Sequence, residues 1–195
     1  MPMFLIPKDF WEVRKVKGKG QGVFALEDVP KGLVIGDYLG KVLRPEEALI
    51  DEKNFYLMYY HDHAVISPDL KKVGPHLINH SCVPNSFLYI YKGHTLVFAL
   101  RKILKGEELT IPYLLPPIEE YCDSCLHFCR CGSLKCRKTM HMSKEKYNYW
   151  RKITDRQSKE TKKERIRYGK ELKALFDYPK KIPKDYISEI EKLFI

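Results

Sequence analysis

The crowding of the cysteines constrains this chain more than any other feature. Five of the six cysteines lie within fifteen residues, at positions 122, 125, 129, 131 and 136, and the sixth is Cys82. In a reducing compartment, thiols this close together bind metal more often than they form disulfides. Cys129, Cys131 and Cys136 have one and then four residues between them, a spacing that can wrap one tetrahedral ion. A structural zinc site needs four ligands, and the three remaining cysteines are the candidates for the fourth.

Positive charge is concentrated in residues 144–173. The chain has 195 residues and a net charge of +10, and this segment holds twelve Lys and Arg against five Asp and Glu. One interpretation is an electrostatic contact with nucleic acid or with an acidic protein face. The other is a solvated helix face, and we expect its apolar side chains to pack on the rest of the molecule. These side chains are Tyr147, Trp150, Ile153, Leu172 and Phe176.

Composition and length predict an ordinary globular chain. Apolar residues make up 44% and charged residues 31%, which argues against wholesale disorder. No apolar run approaches the roughly 18 residues that a membrane span requires. The opening residues lack the basic leader of a signal peptide. We therefore expect an intracellular soluble protein with no membrane contact.

The first 116 residues have a sequence pattern typical of short strands joined by tight turns. Residues 46–60 are typical of a helical turn leading into a strand. The runs SFLYIY and TLVFAL flank Lys92, Gly93 and His94, which predicts a hairpin.

The apolar spacing becomes helical after about residue 141. Ile166, Leu172 and Phe176 recur at helical spacing, as the earlier apolar residues of the basic segment do. Pro183 predicts the start of a last helix that carries Ile187, Ile190 and Phe194 on one face.

The stretch LINHSCVPNS at 77–86 is too polar for a strand interior. Asn79 and Asn85 can each bridge backbone groups, which is the kind of lock that a knot-like crossing of the chain would need. The alternative is a hydrophilic loop built on Asx and Pro turns.

The stretch KGKGQGVFA at 17–25 carries three alternating glycines that permit close approach of a ligand to the backbone. Their spacing is not the Rossmann G-x-G-x-x-G and no long helix follows, so we reject a dinucleotide-binding loop. A hairpin turn is the remaining alternative.

The stretch LKGEELTIPY at 104–113 contains two adjacent carboxylates, Glu107 and Glu108. Adjacent positions on a strand point to opposite faces, so these two cannot easily share one substrate. We expect them to be turn and surface residues, and Tyr113 is the better candidate for chemistry.

Taken in order, GKGQGVFA, NHSCVPN, KGEELTIPY and CRCGSLKCR resemble the motifs of the SET-domain protein-lysine methyltransferases with a post-SET zinc motif. The resemblance covers roughly residues 12–140. It implies a mostly β fold with some α, in which small β-sheets surround a pseudoknot-like threaded segment that brings 79–82 beside 110–113. It divides the chain into a SET catalytic domain (1–116), a post-SET zinc-binding segment (117–140) and a basic helical C-terminal region (141–195).

The resemblance also implies the site residues and the cofactors, S-adenosylmethionine and a structural zinc ion. Tyr113 matches the active-site tyrosine of the family, and Tyr56 is similar to its second channel tyrosine. The implied cofactor-binding residues are Lys19, Gly20, Gln21, Tyr56, Asn79, His80 and Tyr113. Cys82 becomes the fourth zinc ligand beside Cys129, Cys131 and Cys136.

Two residues depart from the family pattern. Pro112 stands where the family usually has Asp, which removes a side-chain hydrogen bond and a backbone donor and puts the local strand pairing in question. Ile111 stands in the substrate channel where the family has Phe or Tyr. Because Ile leaves room for a bulkier amine, we expect products beyond monomethyl-lysine. Cys122 and Cys125 exceed what one zinc site needs, either as spare thiols or as a remnant of a second site.

The resemblance implies an enzyme that methylates lysine in a protein, such as a histone or another basic chromosomal protein. Its location would be nuclear or chromosomal in a eukaryote and cytoplasmic in a prokaryote. Two alternatives stay open. One is a non-catalytic SET-like zinc module that binds nucleic acid or chromatin, and the other is a methyltransferase of a ribosomal or translation protein. Nucleic acid is a further partner of the basic tail, residues 144–173.

Overall fold

The structure is a computed structural model that describes residues 10–49, 56–61, 64–118 and 127–194. The helices in these residues are α1 (Pro45–Leu49), α2 (Lys144–Glu160) and α3 (Lys184–Glu191). The strands are β1 (Trp11–Val16), β2 (Gly20–Ala25), β3 (Val34–Asp37), β4 (Gly40–Leu43), β5 (Met58–His61), β6 (Ala64–Ser67), β7 (Asn79–His80), β8 (Ser86–Tyr91), β9 (His94–Ala99), β10 (Thr110–Ile111) and β11 (Glu171–Leu172). Within this part of the chain, no helix is both long and apolar enough to cross a membrane.

The strands form four small sheets. β1 and β2 are an antiparallel hairpin, β3, β9 and β8 form a three-stranded sheet, and β11, β4, β6 and β5 form a four-stranded sheet in that order. β7 and β10 are a parallel pair. The architecture confirms the predicted fold, which is mostly β with a few helices.

The predicted hairpin is confirmed at β8 and β9. Tyr91 pairs with His94, which leaves Lys92 and Gly93 as a two-residue turn with φ angles of +47° and +73°. Positive φ at both positions is the turn geometry that matches the twist of paired strands. The helical turn α1, which precedes strand β5, likewise agrees with the prediction for residues 46–60 in its described part.

The threaded crossing is the feature that positions the site. Residues 104–113 run between strand β2 and the segment around β7. The Leu109 amide donates to the carbonyl of Val23 in β2, and the Ser81 amide donates to the carbonyl of Ile111. Buried Asn85 locks the crossing, because its Nδ2 donates to the Glu108 carbonyl at 2.8 Å and its Oδ1 accepts from the Thr110 amide at 2.9 Å. The side-chain locks predicted from the polar stretch are therefore present, and 79–82 lie beside 110–113.

Three clusters of buried apolar side chains stabilise the fold. The first joins β1, β2, β3, β9 and β10 and includes Val23 and Ile35. The second joins the β3–β9–β8 sheet to α2 and α3, and the third fills the space around β4, β6 and β11. The last two clusters include residues from both ends of the chain, so the C-terminal region packs on the sheets.

The C-terminal region differs from its prediction at three apolar residues, because none of Ile166, Leu172 and Phe176 lies in a helix. Leu172 lies in strand β11, paired with Gly40 of β4, and not in a helix. Phe176 is fully exposed, at 107%, so the prediction that it packs on the core is wrong. Ile153 is buried in the second cluster, with Tyr147 and Trp150 half-buried against it, as predicted.

The predicted last helix is confirmed as α3, which begins directly after Pro183. Ile187 and Ile190 are buried in the second cluster, and Phe194 packs partly against it.

Candidate functional site

The crossing of β7 and β10 brings two distant polar segments together. The backbone amide of Tyr113 donates a hydrogen bond to Nδ1 of His80 at 3.1 Å, and the two rings meet edge to face with centroids 5.2 Å apart. Strand β10 ends at Ile111, directly before Pro112, so the missing donor of the proline does not break the pairing.

An open cleft of about 320 Å³ lies beside this contact, which is within the size range of small-molecule sites. Four of the predicted cofactor residues line it: Lys19, Asn79, His80 and Tyr113. The opposite wall comes from the post-SET segment, with Phe128, Arg130 and Met140 among its residues. Gly20, Gln21 and Tyr56 are not among the residues that line the cleft. Gln21 supports it indirectly, because its carbonyl accepts from Asn79 Nδ2 at 2.9 Å.

Glu108, which the sequence predicts to be a turn and surface residue, contacts two of the residues that line the cleft. Its Oε1 accepts from Asn79 Nδ2 at 2.7 Å, and its Oε2 lies 3.4 Å from Lys19 Nζ. Glu107 faces the other way and pairs with Arg101, so the expectation of opposite faces holds. The backbone of Gly22 sits against this group, since a Cβ there would come within 2.9 Å of Glu108 Oε1 and Asn79 Nδ2.

Three tyrosines, Tyr38, Tyr56 and Tyr113, lie close to one another. Tyr113 is 42% exposed and Tyr56 is 40% exposed. Burial, followed by the nearby phenol of Tyr56, raises the pKa of Tyr113 to about 12. Tyr38, which the sequence analysis did not select, is buried, and burial together with Tyr113 and Tyr56 raises the pKa of its phenol well above the ordinary value. Its hydroxyl donates to the backbone carbonyl of Tyr56. The phenols of Tyr38 and Tyr113 therefore stay protonated near neutral pH.

His80 connects the cleft to the cysteines. Burial, followed by the charges of Arg137 and Lys19, lowers the pKa of His80 to about 4, so the ring is neutral. Because Nδ1 accepts the Tyr113 amide, the ring proton is on Nε2, which lies 3.6 Å from Cys82 Sγ.

The four predicted metal ligands form one cluster. The sulfur atoms of Cys82, Cys129, Cys131 and Cys136 all lie within 4.8 Å of one another, and those of Cys82 and Cys129 are 3.5 Å apart. A tetrahedron with Zn–S bonds of 2.3 Å separates its sulfurs by about 3.8 Å, so the cluster fits one tetrahedral ion. Cys122 and Cys125 lie outside the described residues.

Two backbone amides favour thiolates in this cluster, whereas burial opposes them. The backbone amides of Arg137 and Lys138 point at Cys82 Sγ and Cys136 Sγ, at 3.5 Å and 3.4 Å. Burial, followed by hydrogen bonds shared with the neighbouring thiols, raises the pKa of Cys129. Four thiolates this close therefore need a cation to hold them together.

Ile111 is 3% exposed and packs in the first apolar cluster. It does not line the cleft, and its assignment to a substrate channel stays a prediction.

Comparison with known proteins agrees with this architecture. Residues 20–114 match the family model described as SET domain. This part of the chain is a SET domain.

Its curated relatives are histone-lysine N-methyltransferases. The trithorax protein of Drosophila virilis is 30% identical over 145 residues, which are 69% of this chain and 4% of that protein. Human histone-lysine N-methyltransferase 2B is 32% identical over 133 residues, 63% of this chain and 5% of that protein. The H3 lysine-4 specific enzyme of Schizosaccharomyces pombe is 32% identical over 128 residues, 60% of this chain and 13% of that protein. The chain thus spans a small part of the length of these relatives.

Proposed function

We propose that this protein transfers methyl groups from S-adenosylmethionine to the side-chain amine of lysine in a protein substrate, a histone or another basic chromosomal protein. One observation carries the proposal: Asn79, His80 and Tyr113 meet at one cleft, and Cys82 of the same segment joins the thiolate cluster that holds the opposite wall. The similar proteins are named histone-lysine N-methyltransferases, which supports this substrate class.

Lys19, Asn79 and His80 would hold the cofactor, with Gly20 and Gln21 behind them and Tyr56 and Tyr113 beside its reactive end. Asn79 donates Nδ2 to both Gln21 and Glu108, so it presents Oδ1 as an acceptor to a donor group of the ligand. When bound, S-adenosylmethionine supplies a methyl carbon attached to a positively charged sulfur. Lys19 lines the cleft, and Glu108 lies beside it as a carboxylate partner.

The tyrosines would orient the substrate amine, and Tyr113 and Tyr56 are the catalytic residues in this proposal. A lysine amine reacts as the neutral base, and an aromatic, poorly hydrated surrounding lowers its pKa by disfavouring the ammonium form. A phenol with a raised pKa keeps its proton but can still accept a hydrogen bond through its oxygen. Alignment of this kind contributes roughly 7–11 kcal/mol in well-oriented model reactions. No strong base is needed.

The zinc ion would be structural. Cys82, Cys129, Cys131 and Cys136 supply four thiolates, which leave no open position for substrate or water. The ion would fix residues 127–141 against β7 and thereby hold Phe128 and Met140 in the wall of the cleft.

With Ile111 in place of an aromatic residue, we expect products beyond monomethyl-lysine, which mass spectrometry of the product would test.

Methyl transfer is tested by incubating the full chain and labelled cofactor with a panel of histones, archaeal and bacterial chromosomal proteins, and ribosomes. We expect label on a lysine of a histone or chromosomal protein, and loss of transfer in Tyr113→Phe with retained cofactor binding. Label confined to ribosomes would favour the translation-protein alternative.

A calorimetric titration with S-adenosylmethionine separates catalysis from the non-catalytic alternative. Binding is expected for the wild type and for Tyr113→Phe. Absence of binding by a folded, zinc-loaded wild-type protein would favour a non-catalytic SET-like zinc module.

In a eukaryotic cell we expect the protein on chromosomes in the nucleus, and in a prokaryotic cell in the cytoplasm.

A further inference from the structure

We infer that the basic strap, defined as residues 159–173, forms with three neighbouring cations a binding surface for the phosphate backbone of double-stranded DNA. This inference concerns a surface made by the C-terminal region and does not depend on the chemistry of the cleft.

The strap crosses the edges of two sheets through a short 3-10 helix (Lys162–Glu164), a turn at 168–169 and the two-residue strand β11. It begins at the end of α2 and passes the tip of the β8–β9 hairpin, where the space beside Gly93 is filled by the Glu164 carbonyl, 2.5 Å from the position of a Cβ. It then contacts β5 through the Ile166 amide, which donates to the Tyr60 hydroxyl at 3.2 Å. It ends as β11 against β4. Strap residues and strand residues therefore share one continuous surface.

Cations dominate this surface. The strap contains seven Lys and Arg and three Glu. Six of the seven cations are exposed: Lys159, Lys162, Lys163, Arg167, Lys170 and Lys173. Within the described part of the chain, none of these six makes an ion pair.

Three cations outside the strap extend the surface. Exposed Lys92 sits at the hairpin tip that the strap crosses, and Lys41 is the partner of Glu171 in the β4–β11 ladder. The Arg44 guanidinium lies over the ring of Tyr168, 5.2 Å from its centroid, so a planar cation is held at the surface by an aromatic residue of the strap.

Charge complementarity selects the DNA backbone as the partner. A protein interface usually has an apolar, well-packed centre, whereas the strap offers charged side chains around one half-exposed tyrosine. Long, mobile cations that lack carboxylate partners are the groups that neutralise phosphates and release their counterions. Several such cations, spread from the hairpin tip to strand β4, suit a line of phosphates better than a compact acidic patch.

The lysines of the SET body provide a matched control. Lys31, Lys102 and Lys105 are also exposed, but each lies within 3.9 Å of a carboxylate oxygen, on Glu191, Asp28 and Glu27. The strap variant replaces Lys92, Lys162 and Lys163 with Gln, and the control replaces Lys31, Lys102 and Lys105 with Gln. Both variants lose the same net charge, so a difference between them reports position and not total charge.

The experiment measures anisotropy of a labelled DNA duplex against the full chain over a series of salt concentrations. The wild type is expected to bind with a steep salt dependence, and the strap variant to lose about three units of the log–log slope, roughly one for each phosphate contact. The control is expected to keep the wild-type slope.

Three outcomes would overturn the inference. They are a wild type without salt-dependent binding, equal weakening by both variants, and competition by polyglutamate at the same charge concentration as effectively as by unlabelled duplex. The last outcome would assign the surface to an acidic protein. Circular dichroism of both variants confirms that each is folded.

Discussion

At the scale of single residues, Glu108 organises the cleft. It holds Asn79 Nδ2 at 2.7 Å and Lys19 Nζ at 3.4 Å, so both side chains have fixed positions before a ligand arrives. Glu108→Ala would release both and should weaken binding of S-adenosylmethionine about 5- to 30-fold, the equivalent of roughly 1–2 kcal/mol for lost charge-assisted hydrogen bonds.

Calorimetric titration measures this effect, and Glu107→Ala is the control. Glu107 pairs with exposed Arg101 on the other face, so its removal should leave cofactor affinity nearly unchanged. Equal affinities for the two variants would show that Glu108 does not position the cofactor residues.

The protonation of Tyr113 leads to a second prediction at this scale. Its pKa is raised to about 12 by burial and the neighbouring Tyr56. The phenol therefore keeps its proton throughout the range in which a substrate lysine, of ordinary pKa about 10.4, becomes neutral. We expect kcat/KM to rise with pH from about 7 to about 10 as the amine loses its proton. A falling limb within that range, in a protein that stays folded, would contradict the raised pKa.

Only some of the residue roles could be predicted from the sequence. Motif residues such as Asn79, His80 and Cys82 could be selected because their polar pattern is unusual for a strand interior. Tyr38 and Glu108 gave no such signal. Tyr38 follows a buried strand and resembles an ordinary core aromatic, and Glu108 acquires its role only when β2 and β7 come together.

At the scale of elements, the side chain that locks the threaded segment makes a measurable contribution to the free energy of unfolding. Asn85 is 3% exposed and satisfies the Thr110 amide and the Glu108 carbonyl. Asn85→Ala leaves two backbone groups without their partner, so the free energy of unfolding should fall by about 2–4 kcal/mol. Urea denaturation measures the loss. Asn148→Ala, on the exposed side of α2, should change stability by less than about 0.5 kcal/mol, and a similar effect of both variants would contradict the lock.

The thiolate cluster joins the segment after β7 to the post-SET segment. We therefore expect that loss of the metal also weakens cofactor binding in the cleft. Cys136→Ser should abolish the single equivalent of zinc and weaken cofactor binding, because metal-binding free energy here is folding free energy for residues 127–141. Zinc is measured by mass spectrometry of the purified protein. Leu134→Ala is the control, since Leu134 lies in the same loop and is fully exposed. Full zinc content in Cys136→Ser would exclude that cysteine as a ligand.

Short elements also show where sequence patterns no longer predict secondary structure. Apolar spacing predicted helix around Leu172, but the residue completes a sheet beside β4. A two-residue strand has too short a pattern to reveal its period, and its pairing depends on a partner about 130 residues earlier in the chain. The β8–β9 hairpin was predictable because its turn and both strands are local.

At the scale of the whole molecule, the C-terminal region is part of the SET-domain core. The Ile182 amide donates to the Gly32 carbonyl at 2.9 Å, and the Tyr186 hydroxyl donates to the Leu88 carbonyl at 2.7 Å. The hydroxyl of Tyr178 donates to buried Asp37, whose Oδ2 also lies 2.7 Å from His94 Nδ1. These contacts tie residues 178–186 to β3, β8 and β9, so the region should unfold together with the sheets.

This coupling predicts a contrast between two apolar residues of the C-terminal region. Ile190 is completely buried and Phe176 is completely exposed. Ile190→Ala should lower the free energy of unfolding by about 2–5 kcal/mol, whereas Phe176→Ala should change it by less than about 0.5 kcal/mol.

The two tryptophans make the test specific, because they report different parts of the molecule. Trp11 lies in the first apolar cluster and Trp150 packs against the second. In Trp11→Phe and Trp150→Phe, the remaining tryptophan follows one cluster alone. Urea transitions of the two single-tryptophan proteins should each coincide with the far-ultraviolet circular dichroism of the same protein, and Ile190→Ala should shift both. An early transition of Trp150 alone would mean that α2 and α3 unfold as a separate unit, contrary to the shared core.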